Sequence, residues 1–133
     1  MYRCRECLGI LPWPGCKRYI GAMREYIQVV TTTEHREEAE SIARALVEER
    51  LAACVQVIGP ISSIYRWRGA IQSAQEWQCW IKSRRDLYDQ IEETIRRLHP
   101  YEVPEILAVP VLAGSASYLT WLDDEVRTAG GSS

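Results

Sequence analysis

A chain of 133 residues, 47% apolar and 26% charged, has the size and mixture of one globular domain with its own core, which excludes both a wholly disordered polymer and a pair of independent domains. A formal net charge of −2 offers no broad basic face to phosphates, and no run reaches the roughly 20 apolar residues that cross a bilayer, so neither nucleic acid nor membrane is an expected partner. Five cysteines, an odd number with no secretory segment ahead of them, read as reduced thiols.

The opening stretch is more basic than the rest, and Pro12 and Pro14 interrupt its short apolar run before it resembles an export signal. Residues 1–22 are therefore expected to be a poorly ordered extension. The domain is expected over residues 23–127, with a flexible tail at 128–133 and a cytoplasmic location. Cys4, Cys7 and Cys16 in the extension make three soft ligands without a paired fourth, which is half of a zinc motif.

"EYIQVVTTT" at 25–33 is rich in β-branched residues and reads as a strand, central in its sheet. The following segment spaces Ala39, Ile42, Ala43, Leu46 and Val47 along one helical face, with glutamates gathered at its start, where the helix dipole favours them. His35 falls in that first turn and reads as an exposed residue.

Residues 53–82 form two β-rich arms about Arg68-Gly69, a pair suited to a tight reversal. Alternation puts Ile61, Ser63, Tyr65 and Trp67 on one face of the first arm. On the second arm Trp77, Cys79 and Ile81 oppose Glu76, Gln78, Trp80 and Lys82. So long a hairpin, aromatic on both faces, overhangs a small domain and requires another chain to cover it, with Trp67, Trp77 and Trp80 as interface residues. A turn in simple register predicts Cys54 near Arg84, with Cys54 and Cys79 as separate buried thiols.

"SRRDLYDQIEETIRRLHP" places Leu87, Ile91, Ile95 and Leu98 on one face, with Ser83 and Asp86 in capping-box spacing. Pro100 disfavours helix at His99, so the helix should end at Leu98 with His99 at its negative terminus. "PEILAVPVLAG" reads as a fourth strand with edge character, and "SASYLTWLDDEVR" as a short closing helix. The order strand, helix, strand, strand, helix, strand, helix predicts an α+β fold of the ferredoxin-like βαββαβ plan with an extra C-terminal helix.

Phosphate-loop, dinucleotide, nucleophile-elbow and zinc-protease signatures are missing from the sequence, and apolar strands would hold Cys54 and Cys79 protonated, so no enzyme is expected. His99, with Tyr101, Glu102 and Glu105 beside it, offers imidazole and oxygen donors suited to copper or zinc. A histidine at a helix end also interacts favourably with the dipole without any metal.

"LAACVQVIGPISSIYRWRGAIQ", Glu76, "IKS", "HPYEVPEI" and "YLTWL", in that order between about Tyr26 and Arg127, resemble the CutA divalent-cation-tolerance family. The resemblance implies a compact homotrimer of ferredoxin-like subunits with paired hairpins, similar in fold and assembly to PII signalling proteins. It also implies a role in tolerance of copper and other divalent cations, without catalysis and without a cofactor needed for folding. Carried over by position, it implies a metal site at His99 and Glu105, an intersubunit pocket at Tyr65, Glu76, Lys82 and Tyr101, and Trp67 at a subunit boundary. Thr31 stands where some members have cysteine, removing a soft ligand from that route. The alternative is a PII-like module holding a small anionic ligand near Lys82 and Arg66.

Overall fold

A computed structural model describes residues 25–129. The readings made for residues 1–22, Met23 and the three N-terminal cysteines lie outside this range, as does most of the expected tail. Four strands, β1 (Tyr26–Thr33), β2 (Cys54–Trp67), β3 (Ala70–Arg84) and β4 (Ile106–Val111), form one sheet in the order β2-β3-β1-β4. The helices are α1 (Arg36–Glu48), α2 (Tyr88–Leu98) and α3 (Ala116–Glu125). All three strand pairings are antiparallel, and β1 is central as expected.

The two sheet faces differ because strand residues alternate. Ile27, Val29, Cys79 and Ile81 are buried and form a core with Ala39, Ile42 and Leu46 of α1 and Ile91 and Ile95 of α2. Thr31 lies on the same face, fully buried, and its hydroxyl has no hydrogen-bond partner. An unpaired buried hydroxyl costs stability, whereas valine would fill the same space without one. Thr31→Val should therefore raise unfolding stability by about 1 kcal/mol in a denaturant titration; a loss would mean that the hydroxyl is satisfied.

Opposite this core lies an open face carrying Gln28, Val30, Gln78, Trp80 and Lys82. Helix α3 closes one end of it. Tyr26 Oη donates to Asp123 Oδ2 at 2.7 Å, while Arg84, 3% exposed, reaches Asp123 (3.4 Å), Asp86 (3.1 Å) and the Arg127 carbonyl (3.0 Å). Leu122 and Val126 are buried beneath this polar clasp.

The β2–β3 ribbon outruns the sheet. β1 pairs β3 only from Trp77 to Arg84, so residues 70–76 of β3 pair with β2 alone. At about 3.3 Å per residue the overhang extends roughly 23 Å. Arg68 and Gly69 both have positive φ, the geometry of a tight hairpin turn that matches strand twist. Ile64 and Ile71 on the overhang are 75% and 70% exposed.

Two local expectations are corrected. Cys54 pairs with Lys82 rather than lying by Arg84, and it is half-buried rather than buried: the turn pairs Trp67 with Ala70, which in unbroken register sets Cys54 opposite Ser83, and an irregularity between Ile58 and Ile61 moves it one residue further. Ser83 does not open α2: it is the penultimate residue of β3, buried, with its hydroxyl donating to the Leu51 carbonyl at 2.6 Å. A 3-10 turn, Arg85–Leu87, separates it from the helix.

Candidate functional site

The other end of the open face carries a groove of about 670 Å³. β1 contributes Thr32, β2 contributes Ser63, Tyr65 and Trp67, β3 contributes Glu76, and the loop after α2 arches across with Tyr101 and Glu105. Alternation explains the strand contributions: Ile61 pairs with Glu76, so Ser63, Tyr65 and Trp67 share its face.

His99 fixes the loop. Pro100 keeps it out of the helix (ψ 133°), and α2 ends at Leu98 as expected. Its Nε2 lies 2.7 Å from the Thr32 carbonyl, and its Nδ1 accepts the Tyr101 backbone N–H at 3.1 Å. A carbonyl only accepts and an amide only donates, so this is the neutral ring protonated on Nε2, with both nitrogens committed. In this arrangement the ring positions the loop, and a metal ion at His99 would have to displace one of these two hydrogen bonds.

Burial holds the His99 pKa below the usual histidine value, against weaker opposing effects of the Thr32 carbonyl, Glu38 and Glu76. The folded state therefore favours the neutral ring, and the stability it contributes is present above the unfolded pKa of about 6.5 and lost as pH falls through the depressed folded value. Protonation would also turn Nδ1 into a donor facing the Tyr101 N–H. NMR should place the His99 titration below about 6.5 and show the Tyr101 amide losing exchange protection in acid. A titration above that value would contradict the dominance of burial over the neighbouring carbonyl and carboxylates.

Glu76 is the central charge. It is only 8% exposed, and Tyr101 Oη donates to its Oε2 at 2.7 Å. Among the described residues it forms no ion pair with a lysine, arginine or histidine. Burial and then the Glu76 charge raise the Glu105 carboxyl above its ordinary range, and burial with the Glu76 contact does the same to the Tyr101 hydroxyl. Tyr65 and Tyr101 are also walls of a second, more polar cleft that includes Glu34, Arg36 and Glu37.

The structure thus brings together Tyr65, Trp67, Glu76, Tyr101 and Glu105. Lys82, expected in the same pocket, is six residues from Glu76 along β3, roughly 20 Å away. It donates to Gln56 Oε1 at 2.7 Å and sits over the Trp80 ring. Trp77, expected at a subunit interface, is half-buried on the core side, packed against Gly59 with the Arg36 guanidinium over its ring. Trp80 remains on the open face. Thr32 and Ser63 were missed by sequence reading, although strand alternation carried the signal for Ser63.

The CutA1 divalent ion tolerance protein family profile matches residues 27–125. The chain belongs to this family. A divalent-cation tolerance protein CutA of Thermus thermophilus is 45% identical over 94 residues, covering 71% of this chain and 91% of that protein. A chloroplastic CutA protein of Arabidopsis thaliana is 40% identical over 101 residues, covering 76% of this chain and 56% of the plant protein. The CutA domain here thus spans little more than half the length of that relative. Among solved structures, CutA1 from Oryza sativa aligns with TM-score 0.76 at 36% identity, covering 78% of this chain and 95% of that one. The periplasmic divalent cation tolerance protein CutA from Archaeoglobus fulgidus aligns with TM-score 0.75 at 34% identity, covering 77% and 99%.

These relatives confirm the CutA resemblance and the ferredoxin-like α+β fold, and the family name carries a role in divalent-cation tolerance. They also correct one expectation. A cytoplasmic location does not follow from CutA membership, because relatives are named periplasmic in Archaeoglobus and chloroplastic in plants. The lack of an export-like apolar run was too weak a ground for it. Among the described residues no helix is long and apolar enough to cross a membrane, and no three His, Cys, Asp or Glu side chains converge as a metal centre.

Proposed function

We propose that this CutA chain serves divalent-cation tolerance as a non-catalytic homotrimer, with a cation-binding groove at the end of each open sheet face. The observation that carries the reading is Glu76, a carboxylate more than nine-tenths buried with a tyrosine hydroxyl as its hydrogen-bond donor and, among the described residues, no ion-pair partner. Such a charge is costly without a compensating cation. Glu105 supplies the second oxygen ligand, and water or a neighbouring subunit completes the shell. With Thr31 replacing a thiol and His99 committed, an incoming ion meets oxygen donors, which favours divalent ions, Cu(II) among them, over Cu(I).

Assembly is supported by the overhanging ribbon and by the apolar side chains left exposed on it and on β4, including Leu107 and Val109. Absence of catalysis is supported by Cys79, whose thiol burial pushes up to about 12, and by the engaged ring of His99. Light scattering at micromolar concentration should give three times the subunit mass; a stable single subunit would overturn the assembly. Calorimetric titration with CuCl2 and MnCl2 should show binding that Glu76→Gln weakens at least tenfold, and binding indifferent to that change would overturn the site.

A second reading, a PII-like module with a small ligand in each cleft, is favoured by the size of the groove, which is in the range of organic-ligand pockets and far larger than one ion.

A further inference from the structure

Resting on that second reading, we infer that the groove is a site for a small organic cation, a protonated amine or a guanidinium on a short apolar body. Three features point to this chemistry. The first is charge: Glu76, Glu102 and Glu105 line the groove, and among its described lining residues there is no lysine or arginine, so an anion would be repelled. The anionic ligand expected near Lys82 and Arg66 has no support at this place, because Lys82 lies at the other end of the face against Gln56 and Trp80.

The second feature is the walls. Tyr65 and Trp67 project from β2 on the groove side, 44% and 41% exposed in the single subunit, and the Trp67 ring already holds the Arg68 guanidinium 5.6 Å from its centroid, the kind of contact a guanidinium ligand would make. Aromatic faces attract ammonium and guanidinium groups through the ring quadrupole, whereas a bare divalent ion holds its water shell too firmly to gain from them. Val103 and Pro104 add apolar surface on the loop side for the ligand's body.

The third feature is the state of the carboxylates. Glu76 accepts from Tyr101 through Oε2 alone, so Oε1 retains its acceptor capacity. Glu105 already feels the charge of Glu76, and a cation lying between the two would relieve their mutual repulsion. The multiple N–H donors of an ammonium or guanidinium suit two converging carboxylates, and the planar fork of a guanidinium suits them best. The loop that carries Glu105 is held by His99 without any ligand, so the acidic and aromatic walls are in place before binding.

Titration of the full chain, in its native assembly, with agmatine, n-butylammonium chloride, the neutral n-butanol and MnCl2 alone provides the test. Agmatine and n-butylammonium should bind and raise the melting temperature, whereas butanol at equal concentration should not. Glu76→Gln should weaken agmatine at least tenfold, and Trp67→Leu several-fold. Since Glu76 is buried, Glu105→Gln, at an exposed position, provides the second variant, with a loss of at least threefold. Circular dichroism of the unliganded variants establishes that each is folded. No heat and no thermal shift with either amine in the wild type would overturn the inference, as would amine binding unchanged in both glutamate variants. Manganese binding that depends on Glu76 while the amines fail would uphold the metal reading and overturn this one. Amine binding without manganese binding would do the reverse.

Discussion

Arg84→Met should cost about 3–4 kcal/mol of unfolding stability and release α3 first. The arginine is almost completely buried and makes three separate contacts, to Asp86, to Asp123 and to the carbonyl of Arg127. Methionine retains the apolar stem but no donor. Asp123 is then left with the Tyr26 hydroxyl as its remaining described partner, and the Arg127 carbonyl loses one donor in a half-buried position. Breaking one side of such a pair is expensive because the other charge stays behind in a poor solvent. Hydrogen exchange should accelerate in residues 116–127 before the sheet is affected. A loss below about 1 kcal/mol, the range of surface ion pairs, would show that solvent reaches the clasp freely.

Gly59→Ala should cost about 2–3 kcal/mol by overpacking. A Cβ at this position would lie 2.6 Å from Cε3 and 2.7 Å from Cδ2 of Trp77, well inside contact distance of a rigid indole. That ring has no easy exit: it packs against the core on one side and carries the Arg36 guanidinium 5.5 Å from its centroid on another. Denaturant titration should show a lower midpoint, and tryptophan fluorescence should report the displaced ring. A neutral result would mean that Trp77 swings outward without penalty.

Much of the architecture was legible because periodicity and punctuation agree in this chain. Ala39, Ile42 and Leu46 repeat at helical spacing and are buried as α1. Arg68-Gly69 marks the hairpin, and Pro100 stops α2 at Leu98. Cys54 and Ser83 were misplaced for one kind of reason: a local rule met a tertiary effect. The irregularity at Gly59-Pro60 shifts the strand by one residue, and the glycine-proline pair inside the arm was its signal in the sequence. Ser83 fits a capping box, yet its hydroxyl serves the Leu51 carbonyl from within β3.

Within the groove, family resemblance identified Glu76, Tyr101 and Glu105 but could not say what their neighbours do. The role of His99 depends on which carbonyl lies 67 residues away, a matter of three-dimensional packing. Lys82 and Glu76 were grouped by the family resemblance in one intersubunit pocket, and within a single subunit strand geometry separates them by roughly 20 Å.

The unsupported reach of the β2–β3 ribbon sets a hierarchy of cohesion inside one polypeptide. Residues 70–76 have a hydrogen-bonded neighbour on one side and an open edge on the other, with Ile71, and Ile64 on the paired arm, facing water. In a solitary subunit this stretch would fray long before the four-stranded body, and its bare edge would recruit any extended segment nearby. If the proposed trimer forms, dilution should loosen this ribbon before any other element.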